Sequence, residues 1–358
     1  MKCIIPNIFV SQTSISEIDF FAGTFSLRGM PINNLASGRN LESVIGLLWG
    51  DLFEDFPTGD DLQSALGQAR EQVFFYTEDI DEALLDMRPV DAVRTLIAKI
   101  PDVTDLTTAL HLIAAPAVFA PAFMRMKRGR HSVRPDPSIP HSVDILRMMN
   151  LSLPSEQEVS ALDAYLISCV DYGLTPPTLA ARIAASVNAG MTSSILAALS
   201  VFSGSSHDSK SDGILDVLDA FQANKASKKD GNFAILEKQN SWVKNNDPRT
   251  PIIKDALLNV EISAPPRFQS RLSLVEEIFA NQNQTELSDN VGSSETTELK
   301  IYAALLLEQL GFPREIFSCV LSMGRSIGWI AHSREQMSRP WLIRPQLEYV
   351  GPENKALD

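Results

Sequence analysis

Apolar residues that recur at spacings of three and four constrain this chain more than any other feature. In LESVIGLLWGDLF, Val44, Leu47, Leu48 and Leu52 fall on one face of a 3.6-residue period. Similar runs follow along the chain, among them PVDAVRTLIAKI, SEQEVSALDAYLISCV, TPPTLAARIAASV, MTSSILAALSVF and ELKIYAALLLEQLG. Only the first thirty or so residues look β-like. The expected fold class is therefore mainly α. Ser155 with Glu158 three residues on matches a capping box, and Gly311-Phe312-Pro313 ends a helix in the usual Gly-then-Pro order. LIAAPAVFAPAFM, Leu112 to Met124, contains Pro116 and Pro121 and reads as buried helix ends joined by a turn. It falls short of the roughly 18 apolar residues that a membrane span needs.

Composition narrows the partners. The 358 residues carry 44 acidic and 31 basic side chains, a formal charge of -13 that opposes binding to nucleic acid or an anionic membrane surface. Neither partner is expected. Cys3, Cys169 and Cys319 form no C-x-x-C motif, so neither a disulfide framework nor a zinc knuckle is indicated, and a reducing, cytoplasmic location is expected. MKCIIPNIFVSQ has a single Lys and an early Pro, unlike a secretory signal. The basic stretch MKRGRHSVRPDPSIP can hold phosphates of a cofactor, but charge runs of this kind ordinarily form solvated faces. One loop, FSGSSHDSKSDG, carries a lone histidine, His207, which by itself reads either as a presented active-site residue or as a polar residue in a connection.

IYAALLLEQLGFPREIFSCVLSMGRSIGWIAHSREQMSRPWLIRPQLEYVGP carries L-G-x-P followed by R-x-x-G-W-x-A-H, E-Q and R-P-x-x-x-Y-x-G. VDYGLTPPTLAARIAASVNAG resembles an A-D-H-G-x-N-x-S-T helix pair, and NNDPRTPIIKDAL holds a D-P-R segment. LRGMPINNLASGRNLESVIGLLWGDL is similar to an R-G-Y-x-I-x-x-L-A opening. Together these four stretches resemble the citrate synthase family, including the 2-methylcitrate synthases, over nearly the whole chain. The resemblance implies a two-domain helical homodimer with residues 1–212 and 318–358 in a large domain, residues 213–317 in a small one, and a site in the cleft between them.

What the resemblance implies for the site is mixed. The family holds an oxo dicarboxylate with arginines, which suits the planar fork of a guanidinium. Arg249 stands in D-P-R, Arg325 in MGRSIGW and Arg344 in IRP, the last expected to reach into a neighbouring subunit's site. Any one of them alone reads as a surface or capping arginine; all three in matching motifs imply an anion-binding cleft. Trp329 and His332 are expected to be packing residues.

The catalytic positions depart from the pattern. His207 matches the histidine of G-P-x-H-G-G, with Asp208 and Ser209 in place of the glycines that let coenzyme A approach. Seven places before Asp247, Asn240 stands where the family has the histidine of G-F-G-H, and an amide cannot protonate a carbonyl. Eleven places before Gly311, Lys300 stands where the family has its catalytic carboxylate. Glu298 is rotated about 200° from Lys300 on a helix and does not replace it. Tyr172 takes the place of the substrate histidine in A-D-H-G and keeps a hydrogen-bond donor.

Three functional readings follow. One is an enzyme of modified acyl-CoA and oxo-acid chemistry that binds a 2-oxo dicarboxylate or tricarboxylate, with Lys300 as base or Schiff-base amine. Another is a catalytically silent binding or regulatory subunit, as a homodimer or paired with an active paralogue. The last is a weak but genuine citrate or 2-methylcitrate synthase. No bound cofactor is expected; a coenzyme A thioester enters as co-substrate.

Overall fold

A computed structural model describes residues 12–19, 22–204, 214–223, 247–260, 269, 271–276, 297–339, 341–344 and 348–351. The β-like N-terminus forms an antiparallel three-stranded sheet of β1 (Ser16–Asp19), β2 (Thr24–Leu27) and β3 (Met30–Pro31), with Ser16 opposite Leu27 and Leu27 opposite Met30. The β2–β3 link is the pair Arg28-Gly29, at φ 49° and 77°. Two successive left-handed residues match the right-handed twist of the strands, and glycine adopts that conformation without penalty.

Helices make up the rest. They are α1 (Ile32–Ala36), α2 (Leu41–Trp49), α3 (Asp60–Phe74), α4 (Glu82–Leu85), α5 (Pro89–Ile97), α6 (Leu106–Lys127) and α7 (His141–Asn150). Next come α8 (Glu156–Cys169), α9 (Pro176–Ser186), α10 (Met191–Phe202) and α11 (Ile214–Ala223). The described chain closes with α12 (Arg249–Val260), α13 (Thr297–Gln309) and α14 (Phe317–Met337). The mainly α expectation holds. So does the Ser155 capping box, in which the Ser155 hydroxyl accepts from the Glu158 amide and the Glu158 carboxylate accepts from the Ser155 amide.

The expectation of a turn around Pro116 and Pro121 is overturned, because both prolines lie inside the single 22-residue helix α6. Each removes one i to i−4 hydrogen bond, a cost of about 3 kcal/mol in an exposed helix. Here burial offsets it: Leu112 to Met124 is buried throughout, with α6 packed against α3, α5 and α14. Among the described residues α6 is the one helix long and apolar enough to cross a membrane, and 83% of its apolar window is buried inside the fold.

The elements that matter for the site converge on α14. It packs on α6, α8, α9 and α10, and α12 packs on α8 and α13. Asn150 closes the α13 end by donating to Leu310 O, while Gly311 takes φ 86°.

Candidate functional site

The site begins at a backbone contact. A Cβ on Gly328 would stand 2.0 Å from Val170 O and 3.5 Å from Asp171 Cβ, and one on Gly324 would stand 2.7 Å from Leu166 O. The two glycines sit one turn apart on α14, so its backbone lies directly on the end of α8. Only glycine permits that approach. Arg325, next to Gly324, is thereby set beside Tyr172, while Trp329, next to Gly328, packs against Phe202. Gly173, at φ 69°, turns the chain towards Pro176 at the start of α9.

Tyr172 is buried there, and two guanidinium groups face its ring: Arg249 Cζ at 4.1 Å from the centroid and Arg325 Cζ at 5.3 Å. Each contact is worth about 0.5–2 kcal/mol depending on desolvation. Arg249 is fixed by Asp247, donating from Nε to Oδ1 at 3.0 Å and from Nη2 to Oδ2 at 2.7 Å. Both residues are buried, so this pair holds the guanidinium in place before any ligand arrives.

Beneath Tyr172 runs a chain of buried polar groups. Asp171 accepts from the Ser16 hydroxyl of β1 and pairs with His332 Nε2 at 3.2 Å. Arg182 Nη1 lies 2.9 Å from His332 Nδ1 and 2.7 Å from Glu335 Oε2, and its Nη2 donates to Gln336 at 3.0 Å. An arginine only donates, so Nδ1 of His332 accepts and its Nε2 carries the proton towards Asp171. Glu335 also accepts from the Ser14 amide at 2.7 Å. Burial alone would raise the Asp171 carboxyl, but His332, Ser16 and the Arg325 charge outweigh it and hold the group below the ordinary carboxylate range. Glu335 is likewise held low against its burial, by the Ser14 amide and Arg182.

Arg249 also lines a pocket, together with Tyr165, Ser168, Leu299, Lys300 and Phe317. Lys300 thus shares a cavity with Arg249. Glu298 is not among the lining residues; burial raises its carboxyl and the Lys254 charge acts on it. This agrees with the opposite helical faces read for Glu298 and Lys300.

Of the residues singled out from sequence, Tyr172, Arg249 and Arg325 come together, and Arg249 meets Lys300. Arg344 does not join them. It stands exposed on the segment after α14, where the Ile343 amide donates to Ser186 Oγ at 3.2 Å. His207 and Asn240 lie outside the described residues. Trp329 and His332 are both buried, as expected of packing residues, although His332 also bridges Asp171 and Arg182. Sequence reasoning missed Asp171, Arg182 and Glu335. The available signal was a lone charge, Arg182, inside the apolar helix TLAARIAAS.

Residues 5–346 match the family model described as "Citrate synthase, C-terminal domain". The chain belongs to the citrate synthase family. It is 26% identical to the citrate synthase of Haloferax volcanii, over 99% of this chain and 97% of that protein. It is also 26% identical to the 2-methylcitrate synthase of Mycobacterium tuberculosis, over 99% of this chain and 91% of that one. The fold is that of solved citrate synthases. The Thermotoga maritima structure aligns at a TM-score of 0.74 and 22% identity, covering 98% of this chain and 96% of that one. The Thermoplasma acidophilum enzyme, solved in a ternary complex with carboxymethyl coenzyme A and oxaloacetate, aligns at 0.76 and 19% identity, covering 98% and 96%. Within this citrate synthase fold the two glycines of α14, the Tyr172 ring and the buried polar chain of Asp171, His332, Arg182, Glu335 and Gln336 form one unit.

Proposed function

We propose that this protein binds a 2-oxo dicarboxylate or tricarboxylate beside Tyr172 and performs acyl-CoA and oxo-acid condensation of the citrate synthase type in modified form. The observation that carries this reading is the convergence of Arg249 and Arg325 on the Tyr172 ring, with Asp247 holding Arg249 in place. Two guanidinium groups facing one ring, one of them clamped, suit the carboxylates of one ligand. Tyr172 supplies a hydroxyl to the same ligand. Lys300 supplies an amine where the family pattern has a carboxylate; uncharged, it accepts the proton from the acyl carbon or condenses with the keto group. His207 stabilises the enol, and Asn240 hydrogen-bonds the oxo carbonyl without protonating it.

Turnover distinguishes this from unmodified citrate or 2-methylcitrate synthesis, the reading supported by the names of the relatives. Thiol release is measured with acetyl-CoA or propionyl-CoA and oxaloacetate. Rates of ordinary enzymes, about 1–1000 per second, establish the unmodified reaction. Loss of one general acid or base typically costs about 100- to 10,000-fold, so modified chemistry gives a far slower release. Borohydride trapping of a 2-oxo acid on Lys300 then separates the two roles of the amine. Calorimetry with oxaloacetate tests the cleft itself: no binding, or binding unchanged in Arg325→Gln, removes the reading.

A silent subunit is the second reading, supported by the pocket at Lys300, where no acidic residue is among those lining it. In that reading the exposed Arg344 completes the site of a second copy or a paralogue, beside the exposed Trp341 and Leu342. Oxaloacetate binding without thiol release, together with a dimer in sedimentation, is its expected result.

A further inference from the structure

The buried polar residues beneath Tyr172 close into a circuit. From Asp171 the hydrogen bonds run to His332, on to Arg182 and then to Glu335, and from there they return to the residues that open β1, two positions from their start. Ser16 donates to Asp171, while the Ser14 amide and hydroxyl donate to Glu335 at 2.7 and 3.1 Å. Strand periodicity allows this closure: Ser14 and Ser16 point one way, and Ile15 between them points the other and is wholly buried. Arg28 holds the same end, its amide donating to Ile15 O and its Nη1 to the Ser14 hydroxyl, both at 2.9 Å.

Asp171, Arg182, His332 and Glu335 are all buried. Connected buried polar groups add little net stability over apolar packing of the same volume, but they hold one arrangement of the side chains. Here that arrangement reaches the cleft through Asp171. Ser16 and His332 both meet its Oδ2, its carboxylate lies in the field of Arg325, and the next residue is Tyr172, whose aromatic ring Arg249 and Arg325 face.

We propose that the start of β1 is a working part of the oxo-acid site: Ser14 and Ser16, acting through the circuit, are positioning residues that hold Asp171 and thereby keep Tyr172 and Arg325 in their binding geometry. The ligand is that of the oxo-acid reading, on which this role rests, whereas the geometry of the circuit stands apart from it. No member of the circuit needs to touch the ligand.

Oxaloacetate binding, measured by calorimetry on the full chain, is compared in wild type, Ser16→Ala, Ser16→Thr and Ser142→Ala, with circular dichroism showing each variant folded. Ser142 is the control: its hydroxyl donates to the buried Asp163 of α8, whose other neighbours are Glu42 and Leu41 of α2, away from Tyr172. Ser16→Ala should weaken oxaloacetate about tenfold, the equivalent of one hydrogen bond to a charged group. Ser16→Thr, which keeps the hydroxyl, should bind as the wild type does, and Ser142→Ala should bind unchanged. Equal losses in Ser16→Ala and Ser142→Ala would reflect a general loosening of the fold and would overturn the proposal; so would wild-type binding in Ser16→Ala, or no recovery in Ser16→Thr. A crystal structure of Ser16→Ala reads the positioning without a ligand, the Tyr172 ring standing farther from Arg325 Cζ than its present 5.3 Å. If the wild type binds no oxaloacetate, a displaced Tyr172 ring sinks the oxo-acid reading alone, and an unmoved one sinks both.

Discussion

Asp163 lies inside α8 and Asp171 just beyond its end, both are buried, and their carboxyls are driven in opposite directions. Asp171 is held low by His332, Ser16 and Arg325 against its burial. Asp163 is pushed up to about 7, chiefly by burial, with Glu42 adding to the rise and the Ser142 hydroxyl and Leu41 amide opposing it. Depth does not separate them; partners do. Next to the Tyr172 cleft the chain keeps a charge and satisfies it, whereas between α2, α7 and α8 it buries a carboxyl that is half neutral near pH 7.

Cutting the satisfied chain gives the largest effect. Arg182→Leu strands Glu335 and leaves His332 Nδ1 without its donor, and should cost about 3–5 kcal/mol in urea denaturation. A loss under about 1 kcal/mol would mean that the chain does not matter to the fold.

The pH response comes next. Asp163 has a folded value above its unfolded one, so the stability it contributes is complete below about pH 4 and is lost as pH rises towards about 7. That amounts to about 4 kcal/mol at most between those limits. Asp163→Asn should remove this slope while leaving the acid-side loss due to Asp171, whose lowered value contributes stability that disappears as pH falls through it. Melting curves from about pH 2 to pH 8 check both signs, the Asp171 loss falling below about pH 4 and the Asp163 slope above it, and parallel curves for wild type and variant would break the contrast.

Gly328→Ala should follow, at about 1–3 kcal/mol, because the new methyl meets Val170 O and crowds Asp171. Weaker oxaloacetate binding should accompany the lower melting temperature. Ser16→Ala comes next, at about 1.5 kcal/mol, the low end for a bond to a charged group because Ser16 is only partly buried and water can replace it. The same change at Ser142, beside the half-neutral Asp163, should cost less than at Ser16.

Much of this was legible beforehand. Helix starts declare themselves locally, so Ser155 with Glu158 was sufficient, as was Gly311 before Pro313. Pro116 and Pro121 misled for the opposite reason: proline's local rule is real, but α6 is held by neighbours that a window of sequence does not contain. Tyr172, Arg249 and Arg325 could be placed at one site because they sit in motifs matching the citrate synthase family. The clamp of Asp247 on Arg249 is local to the D-P-R segment, but the network of Arg182 depends on which helices touch, and no spacing reveals that.

The glycine seam between α14 and α8 has a consequence for how such a chain can change over time. A contact made by main-chain atoms has no rotamers through which to adjust, so neither side of it can drift. Lys300, on a different helix facing a cavity, is free of that restriction. Substitutions can therefore accumulate on the cavity side of α13 while the guanidinium of Arg325 stays where it is. A lineage built on this frame can remake one wall of that cavity without moving the other.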